Sequence, residues 1–197
     1  MKRVLLLTFV AMFCVSGAAM AQMNKIALST TADGRTCNIN DTYGTVDIHV
    51  VALDVENFDA IQFAAPIPEC WTGATYLGET HDGLLQLGNT QDPVHGLAIV
   101  WGGECLTGNV HVAKITIQTT GAAPPCCPYP IVKATGDLHP EVPGPIIVVC
   151  DPSEPDGLRL TGVSVDAVIN PDPTCGCMSP LPVEETTWGG IKALYTN

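Results

Sequence analysis

The sequence predicts an all-β fold: a disulfide-braced antiparallel β-sandwich, with a short helix only at the C-terminus. Three observations carry that expectation. Short apolar stretches, several alternating with a two-residue period, recur along the chain between Gly, Asn and Asp turn signals. Eight cysteines follow an apolar leader, an even number that suits a bridged, exported domain. No helical period appears before the last residues.

The leader comes first. Lys2 and Arg3 form a short positive region, an apolar run from Val4 to Val15 follows, and small residues end in Ala19-Met20-Ala21 before Gln22. That is the order of a cleaved signal peptide over residues 1–21. The apolar run is shorter than the roughly 20 residues a membrane-spanning helix needs. Cys14 leaves with it. Loss of Lys2 and Arg3 takes the net charge from −12 to −14, because all 20 acidic residues remain. Such an acidic surface disfavours nucleic acid or an anionic membrane as partner. No later stretch is long and apolar enough to predict a membrane span.

Residues 22–178 are predicted to form the sandwich. Its best strand is 45–55 (T-V-D-I-H-V-V-A-L-D-V), with Val46, Ile48 and Val50 on one face and Asp47 and His49 on the other. There the phase is expected to slip, so that Val51, Leu53 and Val55 continue the apolar set through a β-bulge. Further strands are expected at 25–30, 58–64, 74–78, 84–87, 97–101, 110–118, 146–150, 158–161 and 164–169. Asn57, Asp82-Gly83, Gly102-Gly103, Gly108-Asn109 and Asp156-Gly157 punctuate them. Many short strands at such spacing point to a sandwich. Residues 151–157 (D-P-S-E-P-D-G) fail the calcium-loop template and read as a solvated turn.

The mature cysteines are Cys37, Cys70, Cys105, Cys126, Cys127, Cys150, Cys175 and Cys177. All are expected to be bridged. Cys126 and Cys127 are neighbours, so joining them would strain the ring and each is expected to take its own partner. Cys175 and Cys177 are expected to behave likewise. Cys70 and Cys105 each end a predicted strand region and are expected to pair. The alternative use of these thiols is a thiolate zinc or copper site. Paired C-x-x-C spacing is absent, and export favours oxidation.

Catalytic signatures are missing. There is no G-x-S-x-G elbow, no H-E-x-x-H, no phosphate loop and no dinucleotide fingerprint. Neither catalytic residues, metal ligands nor a cofactor are assigned. Of the five histidines, His49, His81, His95, His111 and His139, His49 and His111 lie in predicted strands and His81 and His95 in turn-rich stretches. Trp71, Tyr76 and Trp101 are the aromatics nearest predicted loops. Exposed, they would stack on a sugar or anchor a partner; otherwise they pack the core.

Two segments carry a resemblance. Residues 54–63 (D-V-E-N-F-D-A-I-Q-F), after a long apolar strand, resemble the early strands of cohesin-like β-sandwiches. Residues 108–118 (G-N-V-H-V-A-K-I-T-I-Q) resemble a late strand of the same domains. In strand order the resemblance spans about residues 25–170, although the cysteines depart from cohesins proper. The tail, residues 179–197, is set apart by Pro180 and Pro182. It contains T-T-W-G-G-I-K-A-L-Y, which resembles a T-T-W-G-x-I-K-A-L-Y tail of uncharacterised exported bacterial proteins. Trp188, Ile191, Leu194 and Tyr195 fall at helical spacing there, a stripe for docking on the domain or for recognition by a receptor.

Taken together, these features predict an exported, non-enzymatic surface or matrix module that binds an extracellular protein or a glycan. A secreted hydrolase acting on polysaccharide and a thiolate metal-binding protein are the alternatives. The periplasm, the cell surface and the medium all suit the leader. Exported protein should begin at or near Gln22; N-terminal sequencing that still finds Met1 on exported material would refute the leader assignment.

Overall fold

The computed structural model describes residues 24–136 and 141–177. The leader, His139 and the tail with Trp188, Ile191, Leu194 and Tyr195 lie outside the described residues, as does the expected C-terminal helix. The described residues form twelve strands and no helix.

One strand organises the rest. β3 (Gly44–Phe63) is 20 residues long. Run straight, it would extend roughly 66 Å, well beyond one sandwich. It bends instead. Asp54 and Asn57 take positive φ angles of 53° and 52°, a conformation that short polar side chains tolerate better than others. The pairing with β7 (Leu106–Thr119) shifts register between Ala52 and Val55 and again between Val55 and Phe58. These are β-bulges, which bend a strand and raise its twist.

Each half of β3 therefore serves its own set of neighbours. The first half lies between β7 and β1 (Lys25–Ser29), with β4 (Thr75–His81) beyond β7 and β11 (Val163–Val165) beyond β1. The second half lies between β6 (Leu97–Val100) and β9 (Ile146–Asp151). Beyond these come β5 (Leu85–Gly88) and β10 (Glu154–Thr161). Ile48, Val50 and Ile115 from one set and Phe63, Ile99 and Ile147 from the other are buried in a single core. At the bend, Phe58 packs on Trp101 with ring centroids 4.8 Å apart.

The phase slip differs from the one expected. Val46, Ile48, Val50 and Ala52 hold one inward phase, and the slip comes at Asp54 and Asn57, after which Val55, Phe58 and Ile61 continue it. Val51 and Leu53 point the other way and form a second small cluster with Ala27. They are buried because the loop after β1 folds over them. Gly34 (φ 76°) comes so close that a Cβ there would lie 2.8 Å from Leu53 Cδ2. Alternation in sequence cannot distinguish a strand buried on both faces from one whose phase has slipped.

The sheet is also mixed rather than purely antiparallel. β11 pairs with β1 in parallel, and in a second, three-stranded sheet β12 (Ala167–Ile169) pairs in parallel with β2 (Asn38–Ile39). Consecutive strands near each end of the described chain thus run side by side. β8 (Cys127–Tyr129) completes the small sheet.

Eight cysteines form four bridges, Cys37–Cys177, Cys70–Cys127, Cys105–Cys150 and Cys126–Cys175. The expected Cys70–Cys105 pair is not among them. Tyr129 Oη donates to Ala65 O at 3.0 Å, and Ala64 bridges to Val132, so the loop carrying Cys70 is held against β8 and Cys127. Cys105 lies instead beside the β3 bend, where Phe58 pairs with both Leu106 and Val149 and so brings Cys150 near. Three of the bridges fasten segments next to the small sheet, whose strands of two or three residues are too short to stand alone. In the chain-entropy account, loops of this size stabilise by roughly 4 kcal/mol each, without simple additivity when nested.

A buried polar network completes the attachment. The Asp41 carboxylate accepts bonds from the Thr119 hydroxyl at the end of β7 and from Ala123 N (2.7 Å). Its own N–H donates to Asn170 Oδ1 (2.8 Å), and Asn170 Nδ2 donates to Ala123 O (2.8 Å). Burial alone would raise the Asp41 pKa. The Thr119 hydroxyl, the nearby Trp71 indole and the N–H groups of Ala123 and Gly121 outweigh it and hold the carboxyl below its ordinary 3.8. The stability this gives is therefore present above pH 3.8 and lost as pH falls through the lower, folded-state value. Asp41→Asn should lose about 1–3 kcal/mol at neutral pH, measured by urea unfolding. Its deficit against wild type should shrink as pH falls below 3.8; an equal deficit at both pH values would show that the charge is not what matters.

Candidate functional site

β5 is built the wrong way round for an ordinary edge strand. A half-buried strand turns its apolar residues inward. Here Leu85 and Leu87 face solvent, 54% and 65% exposed, while Gln86 is turned toward the interior. The inward amide is satisfied: Gln86 Nε2 donates to Glu79 Oε1 on β4 at 3.2 Å and to Gly88 O at 3.1 Å. Glu79 is bound further by Thr90, whose hydroxyl and N–H reach Oε2 at 2.6 and 3.1 Å. A polar inner cluster thus holds β5 with its leucines outward.

Register extends this outer surface across five strands. Leu85 is paired with Val100, Val100 with Ala60, Ala60 with Val148, and Val148 with Arg159. One step along, Leu87 is paired with Ala98 and Ala98 with Gln62. Paired residues share a face. The result is a surface of Leu, Val and Ala, with Gln62 and Arg159 as its polar members. Leu84, 81% exposed, precedes β5, where its N–H donates to Val100 O at 2.9 Å.

The aromatics singled out from sequence lie elsewhere. Trp71 and Trp101 are buried, so neither ring presents a face to a ligand. Trp71 packs edge-on against Tyr129 at 5.8 Å, and Trp101 packs at the β3 bend. Tyr76 is half-buried on β4, and burial together with the neighbouring Glu79 pushes its phenol up to about 12. Burial raises Tyr129 as well. Nor are thiolates available among the described residues: Cys126, Cys175 and Asp172 cluster, but both sulfurs are in the Cys126–Cys175 bridge. Among the described residues no helix is long and apolar enough to cross a membrane. The outward leucines escaped the sequence reading, although L-L-Q-L itself was read as a strand. An alternating pattern does not say which face is covered.

No family model matches this chain, and no curated protein matches it. Among solved structures it is similar to a non-cellulosomal cohesin from the hyperthermophilic archaeon Archaeoglobus fulgidus, with a TM-score of 0.49 and 9% identity over 77% of this chain and 93% of that one. It is likewise similar to the sixth cohesin of scaffoldin B from Acetivibrio cellulolyticus, solved with a dockerin (TM-score 0.48, 9% identity, 76% and 99% covered). A third is the seventh type I ScaB cohesin from Pseudobacteroides cellulosolvens (0.46, 11% identity, 82% and 96% covered). The likeness is one of cohesin-like fold. With TM-scores below 0.5, function is argued from this chain's own residues.

Tyr76 and Tyr129 stay protonated above pH 10.0 in the folded chain. Folding then favours the protonated phenols, so their contribution is complete below pH 10.0 and is lost as pH rises through the higher folded values. Thermal stability should fall between pH 10 and about 12, and Tyr76→Phe should flatten part of that fall. An unchanged alkaline slope in the variant would refute the Tyr76 environment.

Proposed function

We propose that this chain is an exported, non-enzymatic binding module that takes a protein partner on the outer surface of β5, β6, β3, β9 and β10. The observation that carries the reading is the inverted β5, with leucines in solvent and a glutamine inside. Exposing Leu84, Leu85 and Leu87 brings the folded monomer no burial, whereas contiguous apolar patches on soluble proteins mark interaction sites. The four bridges and the leader favour action outside the cytoplasm.

A protein suits this surface better than a glycan. Sugar recognition uses exposed aromatic faces with flanking hydrogen-bond groups, and Trp71 and Trp101 are buried. A strip of Leu, Val and Ala between polar members has instead the make-up of a protein interface core. The partner's identity is not carried over from the dockerins of solved cohesins.

Burying one leucine contributes about 1.5–3 kcal/mol. The partner should be isolated from the secreted fraction by cross-linking and its affinity measured with purified components. Leu85→Ser with Leu87→Ser should weaken binding at least about tenfold, while the unfolding midpoint, free of that partner, stays near wild type. A partner that binds the double variant as tightly would overturn the assignment of the face.

A further inference from the structure

The outer side of the other half-sheet holds a different arrangement. His49 on β3 stands opposite Lys114 on β7, and Val51 stands opposite His111. Between those pairs β7 carries one extra residue, so that Val112 and Ala113 both turn to the core. That bulge sets His111 on the same outer face as His49. Their rings meet edge to face, with His49 Nδ1 and His111 Nε2 2.9 Å apart. On its far side His111 Nδ1 lies 2.8 Å from Asp82 Oδ2, in the turn after β4.

The hydrogen-bond order fixes the tautomer. Asp82 only accepts, so His111 Nδ1 carries the proton and His111 Nε2 offers a lone pair. At 2.9 Å His49 Nδ1 donates its proton to that lone pair. A cation takes the place of this shared proton: with the His49 proton on Nε2 instead, both facing nitrogens carry lone pairs, and zinc–imidazole bonds of about 2.0–2.1 Å set tetrahedral nitrogens about 3.3 Å apart, so a small rotation of the rings converges them on one ion. A carboxylate behind a ligating histidine is the usual support of such a ligand. Lys114 Nζ is 3.2 Å from Asp47 Oδ2, so its charge is partly offset.

The geometry points to a divalent transition-metal site formed by His49 and His111, with Asp82 as the positioning residue and solvent in the remaining positions. Its ions are those that favour imidazole, zinc and copper(II), rather than calcium or magnesium. Its two ligands lie on β3 and β7, and it uses none of the residues of the binding surface proposed above.

Isothermal titration of the purified chain with zinc chloride should give about one equivalent bound, and calcium chloride should give none. His49→Gln and His111→Gln should each weaken zinc at least about tenfold, and Asp82→Asn by about 10-fold. His95→Gln, altering an exposed ring bound to Asp92, should change nothing. Copper(II) electron paramagnetic resonance on the wild-type chain reads nitrogen ligation without any variant. Zinc binding that survives in the His49→Gln, His111→Gln double variant, a copper spectrum without nitrogen coupling, or no binding at 1 mM zinc would each overturn the proposal.

Discussion

The structure depends on one strand being too long to stay straight. β3 has 20 residues, and the bulges at Asp54 and Asn57 let it belong to two sets of neighbours. Each bulge steps the inward phase by three residues instead of two, from Ala52 to Val55 and from Val55 to Phe58. Those two steps sum to six residues and leave the alternation unchanged; a third, from Phe58 to Ile61 where the pairing with β9 shifts register, reverses it. Without that third step Ile61 and Phe63 could not share one core with Ile48, Val50 and Phe58. A single strand thus sets the bend, the core and the outer face on which Ala60 lies.

Much of the remaining architecture secures what the bend leaves loose. Cys105–Cys150 spans the bend itself, because Phe58 is flanked by the strands that carry the two sulfurs. The three-stranded sheet is a weaker element, and three bridges and the Asp41–Asn170 network fasten its surroundings. Covalent and charge-assisted contacts do there what apolar area cannot, since so few strand residues bury little surface. Together they leave β5 free to be shaped for something other than stability, and its polar inner cluster shows the result. Glu79 and Thr90 satisfy Gln86, and the leucines that would otherwise fill the core stand outside.

Much of this was legible in the residues. The alternation in 45–55, the recurring turn signals and the even cysteine count lead to an all-β, bridged domain, and segments 54–63 and 108–118 carried the resemblance to cohesin-like sandwiches. The pairing of Cys70 was not legible, because it rests on Tyr129 and Ala64 holding a loop against β8, contacts between residues distant in sequence. The two-sided burial of Val51 and Leu53 was hidden for the same reason: a separate loop does the covering.

Composition, period and cysteine count are local properties, and by themselves they determined the fold class and the bridged character. Which sulfur meets which, which face of β5 meets solvent, and whether His49 meets His111 were decided only in the tertiary structure. Each depends on register between strands, and a bulge of one residue reverses the side to which a neighbour points. The single added residue in β7 that brings His111 beside His49 is invisible in an unpaired strand, because a bulge exists only relative to the strand it faces.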